Sequence, residues 1–384
     1  MKIAVLLRGQ PRFSQYGAAF FKKFVQERFP EHEFSIFAGT WKTISNVMDK
    51  LQDPEAVIYG REYDQRLLTL DETIDLVRPW GPRKFIVTPE HELFGLLKDI
   101  YATLLNDKER YNAIREILEI EPSEPNGKNI VAPGHLDVIF ESEEFLVTNL
   151  VWGNKIELAD PVYELRRNLI NNQYLLGQIY SAGKSYEIFK EYANEQNYKP
   201  DLIWSTRMDM IHWYNSPEGF DTMKRDLERM ESESDYPHIF ADRVEIHNGR
   251  PWSSDYNFYM LPNTAKHLLE DIQEKFKSWI LEDTRLLMSV IGTGPELQHA
   301  LWLNFFRKCN VIPLNPFIKP KFSEVIRPKE NIDQIVQETL LAPTTLETVS
   351  DFIIKTIREY PYPGANAPVP REVIDEYFDK LSLN

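Results

Sequence analysis

The sequence predicts an α/β protein whose core is a mostly parallel sheet covered by helices on both faces. Three observations carry that expectation. Short apolar runs rich in Ile, Val and Phe stand at residues 2–7, 34–38, 84–88 and 201–206, each too short for a helix. Helical stretches separate the first three runs, the rhythm of strands joined by crossovers. Turn-forming residues close the runs: Arg8-Gly9-Gln10-Pro11-Arg12 ends the first and Gly39-Thr40-Trp41 the second.

Taken in order, the first strand covers residues 2–7 and a helix follows over about 15–28. The second strand covers 34–38, a helix about 70–77, and a third strand 84–88 before Pro89. Ligands of such sheets sit at the carboxyl ends of the strands, so the loops 8–12 and 39–43 are the first places to look for a site. Residues 92–160 break the rhythm with a helical part, a Pro/Gly-rich connection at 122–133 and mixed short runs, and read as an insertion. A long helix is expected over 161–195, with Pro161 near its start.

The strand at 201–206 runs into Arg207-Met208-Asp209-Met210, and a fifth strand is expected at 238–241. Residues 256–261 open the next ordered element, and one helix is expected over 263–281 with Asn263 or Thr264 as its cap. Another covers 295–306, and two helical stretches beyond Pro328 are joined by a Pro-rich link at 360–370. The division is a main body, 1–327, carrying the insertion at about 92–160, and a helical extension, 328–384. There is no internal repeat.

A chain of 384 residues with 42% hydrophobic and 27% charged residues has the make-up of a globular protein with a large core. Its 59 acidic residues against 44 basic ones give a net charge of -15. That field opposes general binding to phosphate backbones, so no nucleic-acid partner is expected. An anionic ligand needs a local pocket of Arg side chains and backbone N–H groups. Cys309 is the only cysteine, which excludes an intrachain disulfide and a thiolate metal cluster. Its apolar neighbours Trp302, Phe305, Phe306, Val311 and Ile312 mark it as a core residue. The opening apolar run ends at Arg8, and no segment approaches the roughly twenty apolar residues of a membrane span. A soluble, cytoplasmic protein without a signal peptide is expected.

Asp209 follows a buried strand where the chain leaves the sheet, a position from which a carboxylate reaches the ligand crevice and can hold a hard divalent cation. Arg207 beside it can pair with a diphosphate or with the acid itself. Arg8, Gly9, Gln10 and Arg12 offer two guanidiniums, an amide and a backbone open to close approach at Gly9. Neither G-x-G-x-x-G nor G-x-x-x-x-G-K-[ST] occurs, so a dinucleotide fingerprint and a P-loop are both unsupported. On the long helix, Arg167, Asn171, Tyr174, Gln178, Ser181 and Ser185 share one face. That face reads either as solvated or as a polar stripe lining a cleft.

Four motifs in this order carry a resemblance: Arg8-Gly9-Gln10-Pro11-Arg12 after the opening strand, Thr40-Trp41 closing the second, Gln178-x-x-Ser181 on a helix, and Arg207-Met208-Asp209. Together they resemble the GT-A class of nucleotide-sugar-dependent glycosyltransferases, small bacterial and viral members especially, over most of residues 1–310. The resemblance implies a GT-A-like, Rossmann-related fold. It further implies that Arg8, Gly9, Gln10, Arg12, Thr40, Trp41, Gln178, Ser181, Arg207 and Met208 bind a nucleoside diphosphate sugar, with UDP the family's commonest nucleotide. Asp209 would hold Mn2+ or Mg2+, although Arg207 stands where the family's Asp-x-Asp motif has its first acid. The acceptor would be a saccharide or glycoconjugate, with the 92–160 insertion as a lid or acceptor-side element.

Two acids are candidates for the base that takes the acceptor's proton. Asp255 lies between Trp252 and Tyr256, whose rings suit stacking on a sugar, and is preferred. Glu296, after Gly294-Pro295, is the substitute, or simply an acid favoured by a helix N-terminus. His299 is one turn on and reads as structural or as a further metal ligand. Two other functions stay open: a nucleotide-sugar hydrolase using the same pocket, and a non-catalytic carbohydrate-binding or assembly protein on the same fold, which the Arg207 departure keeps open.

Overall fold

Five consecutive apolar residues, Ile3 to Leu7, leave no side of the strand polar, and in the computed structural model all five are fully buried within β1 (Lys2–Gly9). The structure describes residues 1–41, 68–88, 163–214, 218–242, 244–247, 250–253, 257–282, 302, 305–306, 308–314, 321–326 and 331–357. Strand β1 pairs in parallel with β2 (Glu33–Trp41) on one side, and β2 pairs in parallel with β3 (Lys84–Thr88). On its other side β1 pairs in parallel with β4 (Leu202–Arg207).

Beyond β4 the sheet continues through β9 (Asn257–Met260), β6 (His238–Ala241) and β10 (Ile312–Leu314), giving the seven-stranded order β10-β6-β9-β4-β1-β2-β3. β10 is parallel to β6, whereas β9 runs antiparallel to both its neighbours. The reversal has a local cause. Between β6 and β9 the chain makes the hairpin β7 (Val244–His247) and β8 (Arg250–Ser253) instead of a crossover helix. Parallel neighbours need such a crossover. The expected parallel sheet is thus present with one antiparallel strand in it.

Side chains alternate across the sheet and meet helices on both sides. Ile3, Val5 and Leu7 join Ala18 and Phe21 of α1 (Ser14–Phe21) in one core. Leu202 and Trp204 belong to the same core, with Phe220, Met223 and Leu227 of a second helix on that side. On the opposite face Phe37 packs at 5.3 Å on both Phe189 and Tyr192 of the long helix Tyr163–Gln196. A side chain at Gly39 would meet the Ser181 carbonyl at 2.7 Å, so this glycine lets that helix lie close on β2.

The helix expected over 15–28 is α1 followed by a π-helical turn, Lys22–Gln26. The next helix is α2 (Leu70–Val77), as expected, and Thr69 and Glu72 close a capping box at its start. The long helix Tyr163–Gln196 is α3, and α4 is Gly219–Glu233. The single helix expected over 263–281 is two, α5 (Pro262–Leu269) and α6 (Ile272–Glu282). Asp271 between them adopts φ 54°, and Lys275 donates to the carbonyls of His267 and Glu270 at 2.6 and 2.7 Å, sealing the break. Neither expected residue caps α5: Leu261 precedes it, Pro262 is its first residue, and the Thr264 hydroxyl donates to Glu231.

Strand β5 (Met210–Tyr214) pairs antiparallel with β11 (Lys321–Val325) in a separate two-stranded ladder. The C-terminal helices α7 (Ile332–Leu341) and α8 (Leu346–Ile357) are joined by residues 342–345. Both helices precede the Pro-rich stretch 360–370; that stretch and the residues beyond it lie outside the described residues, as does the whole of the 92–160 insertion. Ile335, Val336, Phe352 and Ile353 share a core with Phe20, Phe24, Ile211 and Trp213. Lys23 donates to the carbonyls of Thr339, Leu340 and Ala342, satisfying the end of α7, and Arg28 reaches the Thr344 carbonyl at 3.2 Å. Among the described residues no helix is long and apolar enough to cross a membrane.

Helix α1 also meets the chain just beyond β4. A Cβ at Gly17 would stand 2.0 Å from the carbonyl oxygen of Met208, a backbone atom with no room to retreat. Gly17→Ala should therefore destabilise the protein by about 1–3 kcal/mol or more in urea unfolding. An unchanged midpoint would contradict this contact between α1 and Met208.

Candidate functional site

After β1 the chain lays β2 and β3 to one side, then crosses to the other side of β1 for β4. The strand order reverses between β1 and β4, and open sheets bind ligands outside the carboxyl ends at such a switch point. Arg8 and Arg207 are register partners there, as are Gly9 and Thr40. Strand β9 begins opposite Thr206, so its start stands at the same end of the sheet.

The first loop is anchored through its backbone. Gly9 takes φ 95°, a conformation that suits glycine. Its N–H donates to Ser181 Oγ at 3.1 Å and its carbonyl accepts from Thr40 Oγ1 at 2.9 Å. Ser181 in turn donates to the Gln178 carbonyl at 3.0 Å, and the Gln178 side chain accepts from Trp302 Nε1 at 3.1 Å. Trp41 is buried against Tyr180, ring centroids 5.3 Å apart. Ser181 and Ser185 are both buried, and Ser181 belongs to the contact between α3 and the sheet. At these two positions the polar stripe is neither solvated nor exposed to a cleft. The side chains of Arg167, Asn171 and Tyr174 lie outside the described residues.

Arg8 departs from its expected role. Its side chain is fully buried, Nε donates to Ser205 Oγ at 3.2 Å, and the guanidinium lies over Phe258 at 5.1 Å and Trp302 at 5.5 Å. Rings of this kind hold a desolvated cation by their quadrupoles. Arg8 is thus buried at the end of β1 and not presented at the surface as expected. Met208 is likewise core: fully buried, its sulfur accepts from Ser14 Oγ at 3.8 Å, and Ser14 accepts from Trp80 Nε1 at 3.0 Å. Gln10 is partly exposed.

Two guanidiniums do reach the surface, and one carboxylate holds both. Arg207 grips Asp209 bidentately, Nε to Oδ1 at 2.8 Å and Nη2 to Oδ2 at 2.7 Å. Arg12 Nε donates to Oδ2 at 2.9 Å. The Asp209 side chain is 3% exposed, whereas Arg12 and Arg207 keep 19% and 17%. Its backbone is fixed too, because the Asp209 carbonyl accepts from Ile326 N at 2.8 Å, just beyond β11. Burial alone would raise the Asp209 pKa; the charges and hydrogen bonds of Arg207 and Arg12 outweigh it and hold the carboxyl well below the usual range.

A divalent cation does not fit Asp209 as it stands. Both its oxygens accept from guanidiniums, and a metal there would sit beside two fixed positive charges. Among the described residues, no group of three or more His, Cys, Asp or Glu side chains gathers to hold a metal. Asp255, Tyr256, Glu296 and His299 lie outside the described residues, as does the side chain of Trp252. Burial pushes the Cys309 thiol up to about 11, which leaves it no nucleophile at neutral pH.

Ser205, Phe258 and Trp302 were not foreseen as parts of the site. Nor was the polar pair beneath it, in which Asn257 accepts from Trp204 Nε1 at 3.1 Å and donates to Asp242. Asn257 had a visible signal, a polar residue at the head of the apolar run Phe258-Tyr259-Met260. No protein-family model, curated protein or solved structure matches the chain.

The ion trio makes a prediction about acid stability. Removing one partner of a buried pair is costly, so Asp209→Asn should lose about 3–5 kcal/mol at neutral pH. Because the folded pKa is depressed, this contribution is complete above the ordinary carboxyl value of 3.8 and disappears as pH falls through the folded value. Urea unfolding of both proteins should show a constant difference above about pH 5 that shrinks below about pH 4. The same difference at pH 7 and at the acid end would contradict the pairing.

Proposed function

We propose that the chain is a glycosyltransferase with a GT-A-like fold. It binds a nucleoside diphosphate sugar, with a UDP-sugar the first choice, at the carboxyl ends of β1 and β4, and moves the sugar to a saccharide or glycoconjugate. The observation that supports this most is the pair of partly exposed guanidiniums, Arg12 and Arg207, fixed where the strand order reverses. In a chain of net charge -15, two immobilised cations at the ligand end of the sheet suit a compact polyanion. The mostly parallel seven-stranded sheet and the order of the four motifs support the fold reading.

In the reaction a base removes the proton of an acceptor hydroxyl as its oxygen attacks the anomeric carbon. The bond from that carbon to the diphosphate oxygen breaks, and the diphosphate leaves with the electron pair. Arg12 and Arg207 stand where that growing charge would be stabilised. Asp255 is the proposed base: it lies two residues before Asn257, the first residue of β9, whose start faces the end of β4. Glu296 is the alternative. The closed contacts of Asp209 favour one other reading, a carbohydrate-binding protein that keeps the fold without the chemistry.

The test follows release of the nucleoside diphosphate from UDP-, GDP- and ADP-sugars, with and without a panel of saccharide acceptors. The expected result is release that depends on an acceptor. Asp255→Asn should lower it by about 10²–10⁴-fold with donor affinity unchanged, while Glu296→Gln stays near normal. Release that ignores the acceptor would make the protein a hydrolase. Binding without any release would leave the carbohydrate-binding reading.

A further inference from the structure

Resting on that reading, we propose that the guanidiniums of Arg12 and Arg207 supply the counter-charge for the donor's diphosphate, with Asp209 as their positioning residue, so that donor binding needs no divalent cation. The geometry is that of a clamp. Asp209 takes both oxygens of its carboxylate to the two side chains at 2.7–2.9 Å and is itself held by the backbone bond from Ile326 at 2.8 Å. The two guanidiniums come from different places, the loop after β1 and the end of β4, and the carboxylate is what joins them. Held this way they lose little freedom when an anion arrives. The contact with Asp209 takes one of the five N–H donors of Arg12.

A metal at the same carboxylate would have to break these charge-assisted hydrogen bonds and then lie next to the two cations it displaced. The diphosphate has the opposite preference, since its anionic oxygens accept from the N–H groups of the two partly exposed guanidiniums. Arg207, in the first-acid position of the Asp-x-Asp pattern, is thus the substitute for the cation and not merely a missing ligand. Arg8, the register partner of Arg207, packs its guanidinium against Phe258 and Trp302.

Calorimetry with UDP, repeated with GDP and ADP, tests this in EDTA and again in Mn2+. At least one nucleotide should bind with an affinity that differs by less than about twofold between the two buffers. Arg12→Ala, a change at a partly exposed loop residue, should weaken binding about tenfold or more in both buffers, the loss of a charged hydrogen bond. Asp209→Asn should weaken it comparably while the stoichiometry stays near one. A purely structural role would instead lower the stoichiometry and leave the affinity of the remaining molecules unchanged, which would overturn the positioning role. Binding that requires Mn2+ and is lost with Asp209→Asn would overturn the proposal while leaving the transferase reading intact. No binding of any of the three nucleotides in either buffer would remove both.

Discussion

A single buried carboxylate connects the parts of this molecule that come from opposite ends of the folding pattern. Asp209 is the second of the two residues that join β4 to β5, and its two oxygens reach Arg207 two residues back and Arg12 on the loop after β1. Without it, the two guanidiniums would lose the carboxylate they share, close to the buried Arg8, the register partner of Arg207. Like charges so placed repel, and the low dielectric of a buried corner strengthens the repulsion. The acid makes the approach of the two guanidiniums tolerable.

The rest of the architecture brings those residues together. The sheet places Arg8 beside Arg207, and Gly17 lets α1 rest on the carbonyl of Met208, which holds the turn between Arg207 and Asp209. On the other face Gly39 admits α3, whose Ser181 accepts from Gly9 N–H and so shapes the first loop. The C-terminal helices bear on the same unit from behind: their core includes Ile211 and Trp213 of β5, the strand that starts directly after Asp209. Packing, loop geometry and charge are coupled here through a few short contacts.

Most of the framework was legible in the sequence because its signals are local. The strands β1 to β4 and β6 and the helix Leu70–Val77 follow from short apolar runs and helical patterning, and the structure returns them within a few residues. Three features were not legible, each for a physical reason. The direction of β9 depends on the hairpin β7–β8 replacing a crossover, which no periodicity announces. The break at Asp271 comes from carbonyls sealed by a lysine four residues on. The burial of Arg8 was hidden because β1 is apolar on both faces, so nothing along it says which face a charged residue at its end will take. Within the site, the sequence singled out Arg12, Arg207 and Asp209 one by one. It did not reveal that Asp209 also accepts from Arg12, since that contact spans 197 residues of chain.

The account stands or falls on where the diphosphate sits and what neutralises it. A crystal structure of the protein with a nucleoside diphosphate sugar, grown in chelator, measures both at once. The account predicts phosphate oxygens within hydrogen-bonding distance of Arg12 and Arg207 at the carboxyl ends of β1 and β4, with Asp209 still bound to both side chains. A nucleotide seated elsewhere on the molecule, with the Arg12–Asp209–Arg207 contacts undisturbed, would contradict it.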